Sequence, residues 1–438
     1  MKTAEALMGR GLRILNRFAG SSAIDRLGLR KSVETLLFQG SKNGFRTAGA
    51  VARTFAATQK LLRPARLAKP RGAELFDLTP TEEQQMLRDA VLGFALEQLR
   101  PAALAADTAC AAPDSLLKQS AELGIALMGV PEELGGAGVD RSAMTNVLVA
   151  EAMAQGDLGL AVACLAPAAV STALVLWGDA AQQAKYLPAF VGDSLPAAAL
   201  ALQEPQPLFD PFALATKARK QGDGYVIDGI KSLVPRAAAA ELFIIAAELE
   251  GKGPTLFIVE SSSAGLSIEA EPAMGLRAAA TGRVILEGVL VPADALLGAA
   301  DAAVYAECVQ LARLGWCALA VGTAQAALDY LIPYVNERIA FGEPISHRQA
   351  VAFNIANIAI ELEGMRLLTY RAASRAERGT PFAQDAALAR KLCADKGMSI
   401  ASDAVQLLGG HGFIKEHPAE RWYRDLRAVG LIEGVLLV

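Results

Sequence analysis

The chain has 438 residues, 53% hydrophobic and 20% charged, with a net charge of −4, which is too apolar for a disordered protein and too long for one ordinary core. Three histidines and five cysteines, the latter at 110, 164, 308, 317 and 393 with no C-x-x-C pair, argue against a disulfide framework and against a metal site. Residues 1–72 hold fifteen Lys or Arg against Glu5, Asp25 and Glu34, a net +12 that leaves −16 on the remainder; a nucleic-acid binder would carry its basic surface on the folded body, so no nucleic-acid partner is expected.

Within that basic head, residues 7–18 place Leu7, Met8, Leu12, Ile14, Leu15 and Phe18 on one helical arc and Arg10, Arg13 and Arg17 on the opposite one. Such a helix suits a membrane surface, or docking on the protein's own body, and an Arg-rich, acid-poor N-terminus also fits an organellar transit peptide. The expected location is the cytoplasm, at a membrane if the head anchors, with a mitochondrion left open. Arg63 to Gly72, rich in Pro and basic residues, reads as a linker, so residues 1–75 form an extension.

A helical region over 76–196 follows. Thr79 or Thr81 can cap a helix that runs toward Leu99 and stops before Pro101, and further helices are expected near 113–123, 141–155, 159–178 and 180–190. The uncharged run Leu158 to Gly178 is long enough to cross a membrane, but Pro167 and its many small residues point instead to a buried helix pair. From 197 to 301 the period changes to short β-branched runs, at 224–229, 242–246, 255–259, 266–269 and 284–290, which predicts a β-domain. The helical period returns at 303–336, 348–377 and 382–408, predicting a bundle over 302–438. No strand–G-x-G-x-x-G–helix unit and no P-loop appears, which disfavours a Rossmann site and phosphoryl transfer.

Four stretches carry chemistry: Arg338-Ile339-Ala340-Phe341-Gly342-Glu343-Pro344-Ile345 followed by Gln349; Gln406-Leu407-Leu408-Gly409-Gly410-His411-Gly412-Phe413; Glu420-Arg421-Trp422-Tyr423-Arg424-Asp425; and Ile432-Glu433-Gly434. The Arg338 guanidinium is a planar fork suited to a diphosphate, glycines let backbone approach a ligand, and a carboxylate flanked by Leu431, Ile432, Val435 and Leu436 is expected in an apolar, water-poor setting that strengthens it as a base. In their order and spacing these motifs make residues 78–438 resemble the acyl-CoA dehydrogenase family.

The resemblance implies an α+β multidomain fold: an N-terminal all-helical domain, a central antiparallel β-barrel-like domain and a C-terminal four-helix bundle. It implies FAD as cofactor, an acyl-CoA substrate, an electron-transferring flavoprotein as electron acceptor, and a homodimer or homotetramer. Glu433 would take the α-proton while the β-hydride leaves for the flavin, and the enolate-like oxygen would be held by a flavin ribityl hydroxyl and the Glu433 backbone N–H. Arg338, Phe341 and Gln349 would hold the diphosphate and adenosine across a subunit interface, with Gln406, Gly409 and Gly410 against the adenosine of a neighbouring protomer. The family's Leu-Thr-Glu-Pro and Gly-Ser-Asp turn stands here as Leu202-Gln203-Glu204-Pro205 through Asp210, and its Lys-x-Trp-Ile-Thr as Lys231-Ser232-Leu233-Val234-Pro235. Leu202, Gln203, Leu233 and Val234 are therefore the expected flavin-side contacts, with the aromatic ring and two hydroxyls of the pattern missing at Leu233, Pro235 and Val435. Alternatives are a weakly active or silent subunit in a larger assembly, and a flavin oxidase acting on a substrate without CoA.

Overall fold

The computed structural model describes residues 78–125, 129–136, 143–191 and 195–433. The chain divides into two units, Met1–Asp77 and Leu78–Val438. The amphipathic head, the linker, Gly434 and Val435 lie outside the described residues.

The helical N-terminal region opens with α1, Glu82–Phe94, closed by a capping box in which the Gln84 N–H donates to Thr81 Oγ1 at 3.2 Å and the Thr81 N–H donates to Gln84 Oε1 at 3.0 Å. The expected stop before Pro101 does not occur. A π-helical turn, Ala95–Leu99, widens the backbone and passes the chain into α2, Arg100–Ala109, with Pro101 in its first turn where a missing N–H costs least. Helices α3 (Asp114–Glu122), α4 (Ala143–Gly156), α5 (Leu158–Trp177) and α6 (Ala180–Phe190) follow. The helix pair expected over 158–178 is instead the single helix α5, which carries Pro167 in its interior and is buried almost throughout. Its apolarity is that of a core helix: 89% of its most apolar window is covered by protein.

Strands β1 (Ala198–Ala201), β2 (Lys217–Gln221), β3 (Gly224–Val234), β4 (Leu242–Leu249), β5 (Gly253–Glu260), β6 (Leu266–Ala270), β7 (Gly282–Pro292) and β8 (Leu296–Leu297) form one eight-stranded sheet. Its order is β6-β7-β3-β2-β4-β5-β8, with β1 beside β4. Pairing is antiparallel as expected, except that β1 and β2 both run parallel to β4. Alternation along β4 explains why the sheet is buried on both faces: Leu242, Ile244 and Ala246 join the helical core, while Phe243, Ile245 and Ala247 belong to a second core on the far side. The β3–β7 ladder shifts register between Lys231 and Val234, a bulge that turns this segment away from regular pairing just where the flavin-side motif stands.

The bundle consists of α7 (Ala302–Glu337), α8 (Gln349–Glu377), α9 (Ala383–Leu408) and the short α10 (Ala419–Leu426). A hairpin of β9 (Ile339–Ala340) and β10 (Glu343–Pro344) joins α7 to α8, with Phe341 and Gly342 both at positive φ at its tip. Helix α7 is the hub, packed against α4, α8 and α9. A Cβ added to Gly322 would stand 2.1 Å from the Glu151 carbonyl oxygen of α4, so only glycine permits that approach.

Candidate active site

Glu433 follows α10 and is 5% exposed. Its carboxylate is gripped from two helices. Arg313 of α7 donates through Nε to Oε2 at 2.9 Å and through Nη2 to Oε1 at 3.0 Å, and Arg390 of α9 sets its Nη2 3.0 Å from Oε1. Arg390 also donates Nη1 to the Ile432 carbonyl at 3.3 Å. Burial pulls the Arg390 guanidinium below its usual value, with Glu433 opposing that shift. The expectation of an apolar setting for Glu433 is thus corrected: of its apolar neighbours Ile432 is buried but Leu431 is exposed, and the carboxylate itself meets two guanidinium groups. The bidentate fork of Arg313 fixes its orientation. One signal in the sequence points to this residue, because Arg313 is the sole charge between residues 308 and 328.

The backbone of Glu433 faces the sheet. Its N–H donates to Gln203 Oε1 at 3.1 Å, which places the end of β1 against the last turn of the bundle. Gln203 in turn accepts the Ser232 N–H at its carbonyl, 2.9 Å away. Beside it, Lys231 and Glu204 form a fully buried ion pair at 2.7 Å, with side-chain exposures of 0% and 1%. Lys231 also donates to the Leu202 carbonyl at 3.3 Å, and Glu204 accepts the N–H groups of Ala215 and Thr216 at 2.7 and 3.0 Å. Burial pulls the Lys231 ammonium down to about 8, Glu204 opposing. Burial pushes the Glu204 carboxyl up, but Lys231 and Thr216 outweigh it and leave it below its ordinary value.

The other flavin-side residues divide. Leu202 is fully buried in the helical core, and Leu233 is half-buried at φ 52° with its N–H donating to Glu271 Oε2 at 2.7 Å. The same Glu271 carboxylate accepts from Ser232 Oγ and from Arg283 Nε, so it anchors the bulge; the sequence reading did not single it out. Val234 turns its side chain into the second core of the sheet.

A second cluster lies at the far end of α7. Arg338, which caps that helix, lines a cavity of about 360 Å³ with Tyr334, Ile345, Gln406, Gly409, Gly410 and His411. Four of the expected cofactor residues, Arg338, Gln406, Gly409 and Gly410, therefore meet in one place. Among the described residues, nothing stands within 4 Å of a Cβ added at Gly409 or Gly410. Phe341 is 96% exposed at the hairpin tip, with the Arg348 guanidinium 5.9 Å from its ring centre, and Gln349 opens α8; neither lines the cavity. His411 and His417 stack at 5.3 Å beside Tyr334. Arg313 and Arg338 are 25 positions apart, roughly 37 Å of helical rise.

Sequence models of the acyl-CoA dehydrogenase N-terminal, middle and C-terminal domains match residues 81–193, 199–289 and 302–436. The short-chain specific acyl-CoA dehydrogenase of Bos taurus mitochondria is 35% identical over 362 residues, 81% of this chain and 87% of that one. A 3-(aryl)acrylate reductase of Clostridium sporogenes is 33% identical over 362 residues, 81% of this chain and 95% of that one. Among solved structures, butyryl-CoA dehydrogenase of Megasphaera elsdenii superposes with a TM-score of 0.76 at 29% identity, covering 82% of this chain and 96% of that one. The class is an FAD-dependent oxidoreductase. Within it, the chain belongs to the acyl-CoA dehydrogenase family.

Proposed function

We propose that the protein removes the α and β hydrogens of an acyl-CoA thioester, with Glu433 as the base. The observation that carries this reading is the position of Glu433, a buried carboxylate at the junction of sheet and bundle with its N–H turned to the end of β1 and its carboxylate held between α7 and α9. Among the described residues, Oε1 accepts from two guanidiniums and Oε2 from one. Oε2 thus keeps the freer lone pair for the α-proton, and Arg313 and Arg390 hold the group in line. FAD bound beside it would supply the acceptor for the β-hydride.

The residues present suit the adenosine end of that cofactor. Arg338 offers a forked donor for the diphosphate, and the open backbone of Gly409 and Gly410 with Gln406 offers room and polar contacts. The exposed Phe341 ring and Gln349 flank that end on the hairpin and α8. Because roughly 37 Å of α7 separates this cavity from Arg313, one FAD cannot use both ends of the same chain. The reading therefore includes at least a dimer, each adenosine lying in the neighbour's cavity. Electrons would pass to an electron-transferring flavoprotein, as the resemblance implies, and the basic segment 1–72 would carry any membrane contact.

Anaerobic addition of a panel of acyl-CoAs, from short to long chain, to the FAD-loaded protein should bleach the flavin. Glu433→Gln should abolish bleaching while leaving FAD bound; turnover retained in that variant would refute the assignment of the base. A second reading, a weakly active or silent subunit, is favoured by the doubly paired carboxylate and by Leu233 and Pro235 on the flavin side. It gains if the loaded protein stays yellow with every acyl-CoA.

A further inference from the structure

Glu433 carries two functions in the proposed reaction, a base in its side chain and a hydrogen-bond donor in its backbone, and the protein's own groups occupy both. Arg313 and Arg390 take the carboxylate, and the Gln203 side-chain oxygen takes the N–H. We infer that Gln203 is an internal stand-in for the thioester carbonyl, capping the Glu433 N–H so that an acyl thioester must displace its amide before it can be held over the base. This inference rests on the proposed function above.

The chemistry of the two acceptors is alike. A primary amide and a thioester each present a planar sp² carbonyl oxygen, and the amide is the better acceptor, so the cap is a real competitor. The position of Gln203 is fixed by its backbone. Its carbonyl accepts the Ser232 N–H, and the next residue, Glu204, is locked by Lys231, Ala215 and Thr216. Its side chain is held far less firmly: among the described residues, apart from the contact to Glu433, the amide nitrogen reaches only the Glu204 carbonyl, at 3.5 Å. A fixed stem with a lightly held head can swing aside without moving the strand. The threonine of the resembling pattern, two bonds shorter, would not span this gap, so the cap is a property of the glutamine.

Gln203 is in this sense a positioning residue that selects for ligands able to pay one hydrogen bond. A ligand with the CoA moiety and acyl chain but no carbonyl leaves the cap in place. A thioester has to exchange it.

The test uses the full-length, FAD-loaded protein and two ligands of equal chain length. One is a trans-2-enoyl-CoA, which keeps the thioester but has no saturated α,β bond to oxidise; the other is the S-alkyl-CoA thioether, which lacks the carbonyl. Dissociation constants come from isothermal titration calorimetry. Gln203→Ala should tighten the enoyl-CoA by about three- to tenfold, the range of one net hydrogen bond, and leave the thioether unchanged. Gln203→Glu keeps an acceptor on the N–H and charges it, so it should weaken the enoyl-CoA by a similar factor, again without effect on the thioether. If Gln203→Ala fails to hold FAD, Gln203→Asn, one methylene too short for the contact, replaces it with the same expectation. Equal shifts for both ligands, or none, overturn the cap. Binding of neither ligand to the unaltered protein overturns the proposed function and this inference with it.

Discussion

The buried pair beside Gln203 gives the sharpest test of how the site is built. Glu204→Gln leaves the Lys231 ammonium at 0% exposure with the Leu202 carbonyl at 3.3 Å as its remaining described partner, and it removes the charge to which Ala215 and Thr216 donate. Breaking a buried pair from one side costs on the order of 3–5 kcal/mol, so the melting temperature should fall by roughly 10 °C in scanning calorimetry. The pH dependence has a definite sign. Burial already pulls Lys231 to about 8 in the folded protein, and without Glu204 it falls further, while the unfolded lysine titrates near its ordinary ~10.4. Between its folded and unfolded values the unfolded chain binds the extra proton and stability rises with pH; that rise begins at a lower pH in the variant than in the parent, so the deficit of the variant should shrink as pH climbs to about 8 and stay level from there to pH 10. Adding Lys231→Met removes the stranded charge and should return at least half of the loss. A Glu204→Gln protein as stable as the parent, or a double variant no better than the single one, would refute this account.

Two further predictions concern the supports of the site. Gly322→Ala should lower the melting temperature despite the better helix propensity of alanine, because its methyl would stand 2.1 Å from the Glu151 carbonyl oxygen and 2.9 Å from the Ala154 side chain; calorimetry should read a net loss on the order of 1–3 kcal/mol. Asp425, buried and accepting the Leu276 N–H at 2.7 Å, is pushed up to about 7 by burial and then by the nearby Asp157 charge. A carboxyl raised in the folded state contributes stability that is complete below its unfolded value near 3.9 and lost as pH climbs through about 7. Asp425→Asn, which keeps the acceptor and loses the charge, should therefore gain on the parent between pH 5 and pH 8 in denaturant titrations.

Much of this architecture is legible in the sequence where local rules and tertiary demands agree. The Thr81 cap, the exact span Ala180–Phe190 and the long bundle helices follow from capping and periodicity. Strand β2 does not, because Lys217 to Gln221 carries one buried residue, Ala218, among exposed polar ones; its pairing comes from β3 and β4 on either side. Pro101 misleads in the other direction, since a π-turn just before it absorbs the missing hydrogen bond. At the site, Glu433 and the glycine turn are visible as motifs. The arginines that hold Glu433 come from 120 and 43 positions earlier in the chain, and only folding brings them to it. The amide on its backbone comes from farther still, at Gln203, 230 positions away.

The length of α7 has a genetic consequence. If each chain lends its Arg338 end to a neighbour and keeps its Arg313 end for itself, then two differently crippled chains can repair one another. An Arg338→Ala chain retains a sound base but has a damaged cradle for its neighbour's cofactor, and a Glu433→Gln chain has the reverse. Mixed by refolding, the two should regain activity that neither shows alone, up to one intact site in each mixed dimer, because one of its two cross-chain sites then receives only intact parts. A single copy of a damaged chain would likewise spoil a site it does not itself complete.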